Sequence, residues 1–379
     1  MGNMKKLKIA LVMPTHSNLN SSLHNLLKVY QYLITRYGAE VTMFTDKRNE
    51  FEFKGFKVEK INGIDHGTIL EKILLFLGLQ RDYYLDLIRK LEGYDVIETS
   101  NPEFYWFAYQ SYIAAKRYNM RLVYRTSQTV DGFYLFRLTK FIPLKIAKKA
   151  YQYAKWLLFS NPQAAERCIR LGLAEKDSEK IVITGHATDT NLFSPKKIKK
   201  IHSRTVLLSV GGIYKIKGHH LIIRALKEVV DNGHDAELWI VGDGYYKKSL
   251  IRLAKKLGIS DKVKFLGSKG HKELADIYNR TDIFVLANYQ EITPAVNEAL
   301  ACEKPVVVME CGGADYVIPS YSYGILSKKF DVHDMAQKII YLIKNKEISH
   351  EIGRSGRQRI LQNFSIEKVG EKFYKCFIS

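Results

Sequence analysis

The chain has 379 residues, with 59 Lys plus Arg against 39 Asp plus Glu. That length suits two domains of ordinary size, and 46% apolar with 26% charged residues excludes a disordered or fibrous chain. The net charge of +20 points to an anionic partner: nucleotide phosphates, acidic lipid head groups or nucleic acid.

In chain order, the opening Met-Gly-Asn-Met-Lys-Lys-Leu-Lys is similar to the basic end of a signal peptide. The apolar run at 9–13 is too short for the rest of one and reads instead as a first strand. The uncharged stretch 9–27 is broken by Pro14, His16, Asn18 and Asn20, so it cannot span hydrocarbon. Further strands are expected at 41–44, 96–98, 122–124, 157–159 and 181–183, with helices at 23–36 and 104–118 between them. A polar, basic break at 196–204 reads as a linker. Beyond it the alternation restarts, with strands at 206–210, 238–241, 263–266, 283–286 and 306–309. Helices follow at 219–230, 247–257, 272–278, 294–301 and 332–344. Cys168, Cys302, Cys311 and Cys376 are scattered, which gives no disulfide framework or zinc site and fits a reducing cytosol.

Strand–helix alternation of this kind means parallel sheets covered on both faces. The expected architecture is α/β, two doubly wound Rossmann-like domains facing one another across a cleft. The expected limits are 1–195 and 205–360, with a tail at 361–379 that returns to the first domain. Such sheets bind ligands at the carboxyl ends of strands and at helix N-termini, which directs attention to the loops there.

In Val210-Gly-Gly-Ile-Tyr-Lys-Ile-Lys-Gly218, Gly211 and Gly212 let backbone approach a ligand, and Lys217 puts a positive charge at a helix start. A Gly-rich turn with a solvated lysine is the plainer alternative. In Tyr289-Gln-Glu-Ile-Thr-Pro-Ala-Val-Asn-Glu298, Thr293 can cap a helix and Pro294 fits its first position. Glu291 lies in the loop, where it can meet a sugar. Glu298, a turn into the helix, can accept two hydrogen bonds from a ribose diol or else simply face water. Asp243 in Val241-Gly-Asp-Gly244 reads as a loop cap, and Cys311-Gly-Gly313 allows another close approach.

Taken in order, these segments resemble glycosyltransferase family 4, whose fold is GT-B. The resemblance runs through 209–218, 238–244, 263–267, 278–285, 298–308 and 312–313, and covers roughly residues 205–375. Thr188-Asp-Thr-Asn-Leu-Phe-Ser-Pro195 is similar to the segment that ends the family's acceptor domain. The resemblance implies a donor site for a nucleoside diphosphate sugar in the second domain and acceptor binding in the first. It implies that Lys217 stabilises the departing diphosphate and that Glu298 holds the ribose. Gly211, Gly212, Ile292, Thr293 and Pro294 complete the implied donor site, and the anomeric configuration is retained. No cofactor and no metal are implied, and no Asp-x-Asp pair is present.

Two departures stand out. The family pairs its lysine with an arginine, where this chain has Gly212; Lys215 is the compensating candidate. The family separates its two glutamates by seven residues, whereas six lie between Glu291 and Glu298. An ungapped match puts Gln290 in the first position, and alignment on Thr293-Pro294 restores Glu291. Glu291 is preferred because the loop sets its position. In the first domain, Ser17 and Asn18 after the first strand, and Arg125 and Gln128 after the strand at 122–124, are candidates for acceptor or phosphate contacts.

Between residues 116 and 160 stand ten Lys or Arg and one acid, interleaved with aromatic and aliphatic residues. Such a stretch suits peripheral contact with an anionic membrane or a core helix with lysines in water. No recognition motif for nucleic acid accompanies the charge. The expected protein is cytoplasmic, with the cytoplasmic face of the membrane as a further location, and its acceptor is a polysaccharide or a lipid-linked glycan. Two other readings remain: a non-catalytic nucleotide-sugar-binding partner of another transferase, and an epimerase or phosphorylase on the same fold.

Overall fold

A computed structural model describes residues 6–13, 21–49, 53, 55–63, 83–103, 105–126, 141–197 and 204–379. The chain divides into a first unit, Met1–Gly185 with Val369–Ser379, and a second, His186–Lys368.

The first unit is built on a parallel sheet of β1 (Lys8–Val12), β2 (Glu40–Asp46), β3 (Lys57–Ile61), β4 (Val96–Thr99), β5 (Arg121–Thr126), β6 (Trp156–Phe159) and β7 (Ile181–Ile183). Their order is β3-β2-β1-β4-β5-β6-β7. Ile9 sits opposite Val41 on one side and Val96 on the other. Residues 9–12 are all fully buried, as a parallel strand covered on both faces requires. Helices Ser21–Tyr37, Trp106–Tyr118, Phe141–Tyr153 and Pro162–Arg170 lie among the described elements. The last of these starts on Asn161, whose side chain accepts from the Ala164 N–H at 2.9 Å, with Pro162 in its first turn.

The second unit repeats the plan with β8 (Thr205–Val210), β9 (Ala236–Val241), β10 (Val263–Gly267), β11 (Ile283–Leu286), β12 (Val306–Met309) and β13 (Ile325–Ser327). The order is β10-β9-β8-β11-β12-β13. Alternate side chains enter opposite layers: Leu207 and Val307 join one core cluster, Leu208 and Val308 the other. β3 and β13 were not expected from sequence. In Lys57-Val-Glu-Lys-Ile61 only Ile61 is buried, because an edge strand carries charge that keeps it from pairing further.

The division between units falls at Gly185, ten residues before the sequence boundary, for a physical reason. Thr188 N–H donates to the Phe364 carbonyl at 2.8 Å and the Thr188 carbonyl accepts from Ile366 N–H at 3.1 Å. Asn297 donates to the His186 carbonyl, so residues 186–195 are part of the second unit. Lys196 of the expected linker is held too, its N–H on Asn279 and its ammonium on Asp276.

The final helix, Ile366–Ile378, delivers its apolar stripe to the first unit. Val369, Phe373, Cys376 and Phe377 are buried. Phe373 and Phe377 meet the Tyr30 ring at 6.2 and 6.5 Å, and Tyr374 stacks on Tyr37. Lys372 donates to the Thr184 carbonyl at 3.2 Å. Phe377→Ala should therefore cost the first unit about 3–5 kcal/mol, read as a lowered denaturant midpoint of its unfolding transition. An unchanged midpoint would mean that the tail helix adds nothing to that unit.

Candidate active site

In the second unit the strand order reverses between β8 and β11, the point at which open parallel sheets place their ligand crevice. The loop after β8 is tied to the one after β9. Gly211 N–H donates to the Val241 carbonyl at 3.0 Å and Ile213 N–H to that of Asp243 at 2.8 Å. Gly242 has φ 137°, and a Cβ on it would lie 2.0 Å from the Gly211 oxygen, so glycine is required. Above Gly211 the space is open, since a Cβ there meets nothing within 4 Å. Gly212 differs: the Tyr214 ring covers it, with Cε2 2.5 Å from where a Cβ would stand. The chain then makes a short 3-10 turn, Lys215–Lys217, ahead of helix His219–Asp231. Lys217 is half-buried and forms no ion pair with a described residue.

The loop after β11 is stitched to this turn. Gly218 (φ 68°) packs so close to Ala287 that a Cβ would stand 2.0 Å from its carbonyl oxygen. Tyr289 N–H donates to the Ile216 carbonyl at 3.0 Å, and its hydroxyl lies 2.8 Å from His220 Nε2. Asn288 donates to the Glu291 carbonyl at 2.7 Å. On the other side Gly312 donates to Gln290 and accepts from Ile292, pairing Glu291 with Gly312 as a short parallel bridge. Gln290 is exposed, whereas Glu291 is half-buried.

The thiol of the half-buried Cys311, next to Gly312, is pushed up to about 12, by burial first and by the Glu291 carboxylate second, with Lys329 and Lys217 pulling the other way.

Helix Pro294–Ala301 opens toward the same region. Pro294 takes its first position, but Thr293 does not cap it as its residue type suggests. The Thr293 carbonyl accepts from Val296 N–H, while its hydroxyl is buried without a partner among the described residues. An uncapped N-terminus with a spare hydroxyl is a ready anion site. Glu298 is 1% exposed, which removes the reading of a solvated helix residue. Its Oε2 lies 3.0 Å from the Tyr278 hydroxyl. Ile292, expected among the donor-binding residues, is 2% exposed and spends its N–H on Gly312, so it serves as a core anchor.

Arg125 is on β5, in the first unit, with its Nε 2.8 Å from Glu98 Oε1. Ser17, Asn18 and Gln128 lie outside the described residues. Among the described residues no group of three or more His, Cys, Asp or Glu is placed to hold a metal ion. Sequence reasoning missed Tyr214, His219, His220, Tyr278 and Tyr289. Two adjacent histidines directly after Gly218 were the available signal.

Residues 191–359 match the family described as glycosyl transferases group 1. Among curated relatives, the N-acetyl-alpha-D-glucosaminyl L-malate synthase of Bacillus anthracis is 28% identical over 172 residues, 45% of this chain and 44% of that enzyme. The chain thus spans less than half the length of that relative. The capsular polysaccharide biosynthesis glycosyltransferase CapM of Staphylococcus aureus is 25% identical over 257 residues, 66% of this chain and 67% of CapM. The crystal structure of Anabaena Alr3699/HepE in complex with UDP has a TM-score of 0.80 at 17% identity, covering 97% of this chain and 99% of that one. The fold is that of the GT-B glycosyltransferases, two Rossmann-like parallel α/β units.

Two outcomes follow from the geometry. Gly218→Ala forces a Cβ into the Ala287 carbonyl at a positive φ, at a cost of at least about 1–2 kcal/mol. It should separate the Lys217 turn from the Glu291 loop, seen as faster amide hydrogen exchange at Tyr289, whose N–H bonds the Ile216 carbonyl, in a chain that still folds. His219 is buried with Nδ1 3.2 Å from Ser209 Oγ, and burial drives it down from 6.5 to about 4. Between those values the unfolded chain binds the proton that the folded one refuses, so stability falls as pH drops through that window. Each pH unit costs up to about 1.4 kcal/mol there. His219→Gln should flatten the melting temperature between pH 6.5 and 4; an equally steep profile would exclude His219 as its source.

Proposed function

We propose that this protein is a group 1, family 4-like glycosyltransferase, retaining and metal-independent, that moves a sugar from a nucleoside diphosphate donor to a polysaccharide or lipid-linked glycan. The observation that carries this is the meeting of three features at the sheet reversal. The turn that carries Lys217, which pairs with no carboxylate among the described residues, is bonded through Tyr289 and packed through Gly218 against the loop that carries Glu291. That loop leads into a helix N-terminus whose Thr293 hydroxyl has no partner among the described residues.

In the proposed reaction the bond from the anomeric carbon to the diphosphate oxygen breaks. The acceptor hydroxyl oxygen bonds to that carbon, and its proton leaves with the diphosphate. Charge grows on the departing phosphate, so fixed positive groups aimed at that position do the most work. Lys217 and the amides at the start of helix Pro294–Ala301 supply it, with the Thr293 hydroxyl as a further donor. Open backbone at Gly211 lets the phosphates come close. Glu291 holds the sugar, and Glu298, steadied by Tyr278, holds the ribose. Burial and the Glu298 charge raise the Tyr278 phenol well above its ordinary value, so it remains a donor throughout.

We assign the acceptor to the first unit. CapM, whose name places it in capsular polysaccharide biosynthesis, supports a glycan acceptor. Among the described residues no helix is long and apolar enough to cross a membrane. Helix Phe141–Tyr153 buries Ala147, Ala150 and Tyr151 and turns Lys145, Lys148 and Lys149 to solvent, a basic face suited to acidic lipid head groups at the cytoplasmic surface.

The test is thermal stabilisation by nucleoside diphosphates and their sugars without added metal, starting with uridine because the Anabaena structure holds UDP. One nucleotide at a hundred times its dissociation constant should add about 2.7 kcal/mol. Lys217→Ala and Glu298→Ala should both abolish the shift. If no nucleotide raises the midpoint, donor binding is lost as a reading and glycosyl transfer with it.

A further inference from the structure

We infer that the first unit carries a second anion site, built on Arg125 and held in place by Glu98, that grips a phosphoryl group of the substrate. Arg125 is the penultimate residue of β5, at the carboxyl end where such sheets take ligands. Its neighbour Glu98 is on β4, with a fully buried side chain. One hydrogen bond joins them, from Nε to Oε1 at 2.8 Å. A guanidinium has five N–H donors, and the described residues engage only this one. Arg125 keeps a side-chain exposure of 24%, and its two Nη groups hydrogen-bond to no described residue.

The surroundings sharpen the assignment. The other buried carboxylate nearby, Glu103, is already matched: Arg167 donates to it at 3.0 Å and the Tyr151 hydroxyl at 2.9 Å. Asn101 closes the network by donating to Thr126 at 2.6 Å. Glu98, by contrast, has its Oε2 buried with no partner among the described residues. A pair that served stability alone would be expected to satisfy both carboxylate oxygens through a bidentate fork. This pair spends one bond to fix the guanidinium plane and leaves its outer edge for a ligand of matching geometry, which phosphate oxygens have.

The phosphoryl group is that of a sugar-phosphate acceptor; only its identity as substrate rests on the glycosyl-transfer reading. The probe is inorganic pyrophosphate, followed by its effect on the unfolding midpoint at low salt, with sodium chloride at equal ionic strength as control. The background is Lys217→Ala, which removes the side-chain cation of the second unit's anion site. In that background pyrophosphate should still stabilise, and adding Arg125→Gln should weaken its binding at least about tenfold. Should that variant fail to fold around an uncompensated Glu98, the combination Glu98→Gln with Arg125→Gln removes both charges and makes the same demand. No stabilisation in the Lys217→Ala background, or stabilisation that survives loss of Arg125 in a folded chain, overturns the site.

A second arm tests the source. With Lys217 intact, Arg125→Gln should leave nucleoside diphosphate affinity unchanged, and a tenfold loss overturns the assignment to the acceptor. If no nucleotide binds at all while the pyrophosphate effect depends on Arg125, the anion site stands and the transferase reading falls.

Discussion

Gly218 brings its backbone so close to the Ala287 carbonyl that no side chain fits between them, and this contact joins the two strands at which the sheet order reverses. Everything proposed for the second unit hangs on that seam. Lys217 stands one residue before it, and Glu291 four residues beyond Ala287. The Tyr289 bonds to Ile216 and His220 close the seam from above. Lysine and glutamate come from segments some seventy residues apart in sequence, yet their separation is set by backbone packing rather than by long flexible side chains. Such preorganisation is what electrostatic stabilisation of a developing charge demands.

Charge placement follows a pattern across both units. Many lysines are spent on neighbours, as Lys338 is on Asp334 and Lys247 on Asp243, four residues away in each case. Pairs of this kind contribute little. Lys217 and Arg125 stand out: among the described residues Lys217 forms no ion pair and Arg125 spends only its Nε, on Glu98. They lie respectively in the turn that follows β8 and at the carboxyl end of β5. The excess of thirteen basic residues in the first 200 and seven in the rest makes the whole chain attractive to anions, while these two positions give the attraction an address.

The alternation of apolar runs made most of the fold legible before any coordinates. All five strands expected in the second half appear, and helices Pro294–Ala301 and Val332–Lys344 have the expected limits. What escaped was what depends on pairing rather than on local pattern. β3 is too charged and β13 too short to stand out. The unit boundary is set by Thr188 bonding to a segment 176 residues further along. In the candidate site, glycines and the lysine were readable because backbone approach leaves a mark on residue type. The Tyr289–His220 link, the Tyr214 cover over Gly212 and the Tyr278 support beneath Glu298 were not. A tyrosine that reaches across the fold carries no local sign of doing so.

The tail helix makes the first unit discontinuous, with the whole of the second unit interposed between its two parts. During synthesis residues 1–185 leave the ribosome long before their missing helix exists, and the Tyr30 face waits uncovered while 183 further residues are made. The second unit, continuous in sequence, can finish first although it is started later. Its folding then draws Thr188 and Ile366 together, which converts a search over the full chain length into a short local closure. The order of assembly is thereby written into the connectivity, and the interposed unit acts as the clasp that lets the outer one close.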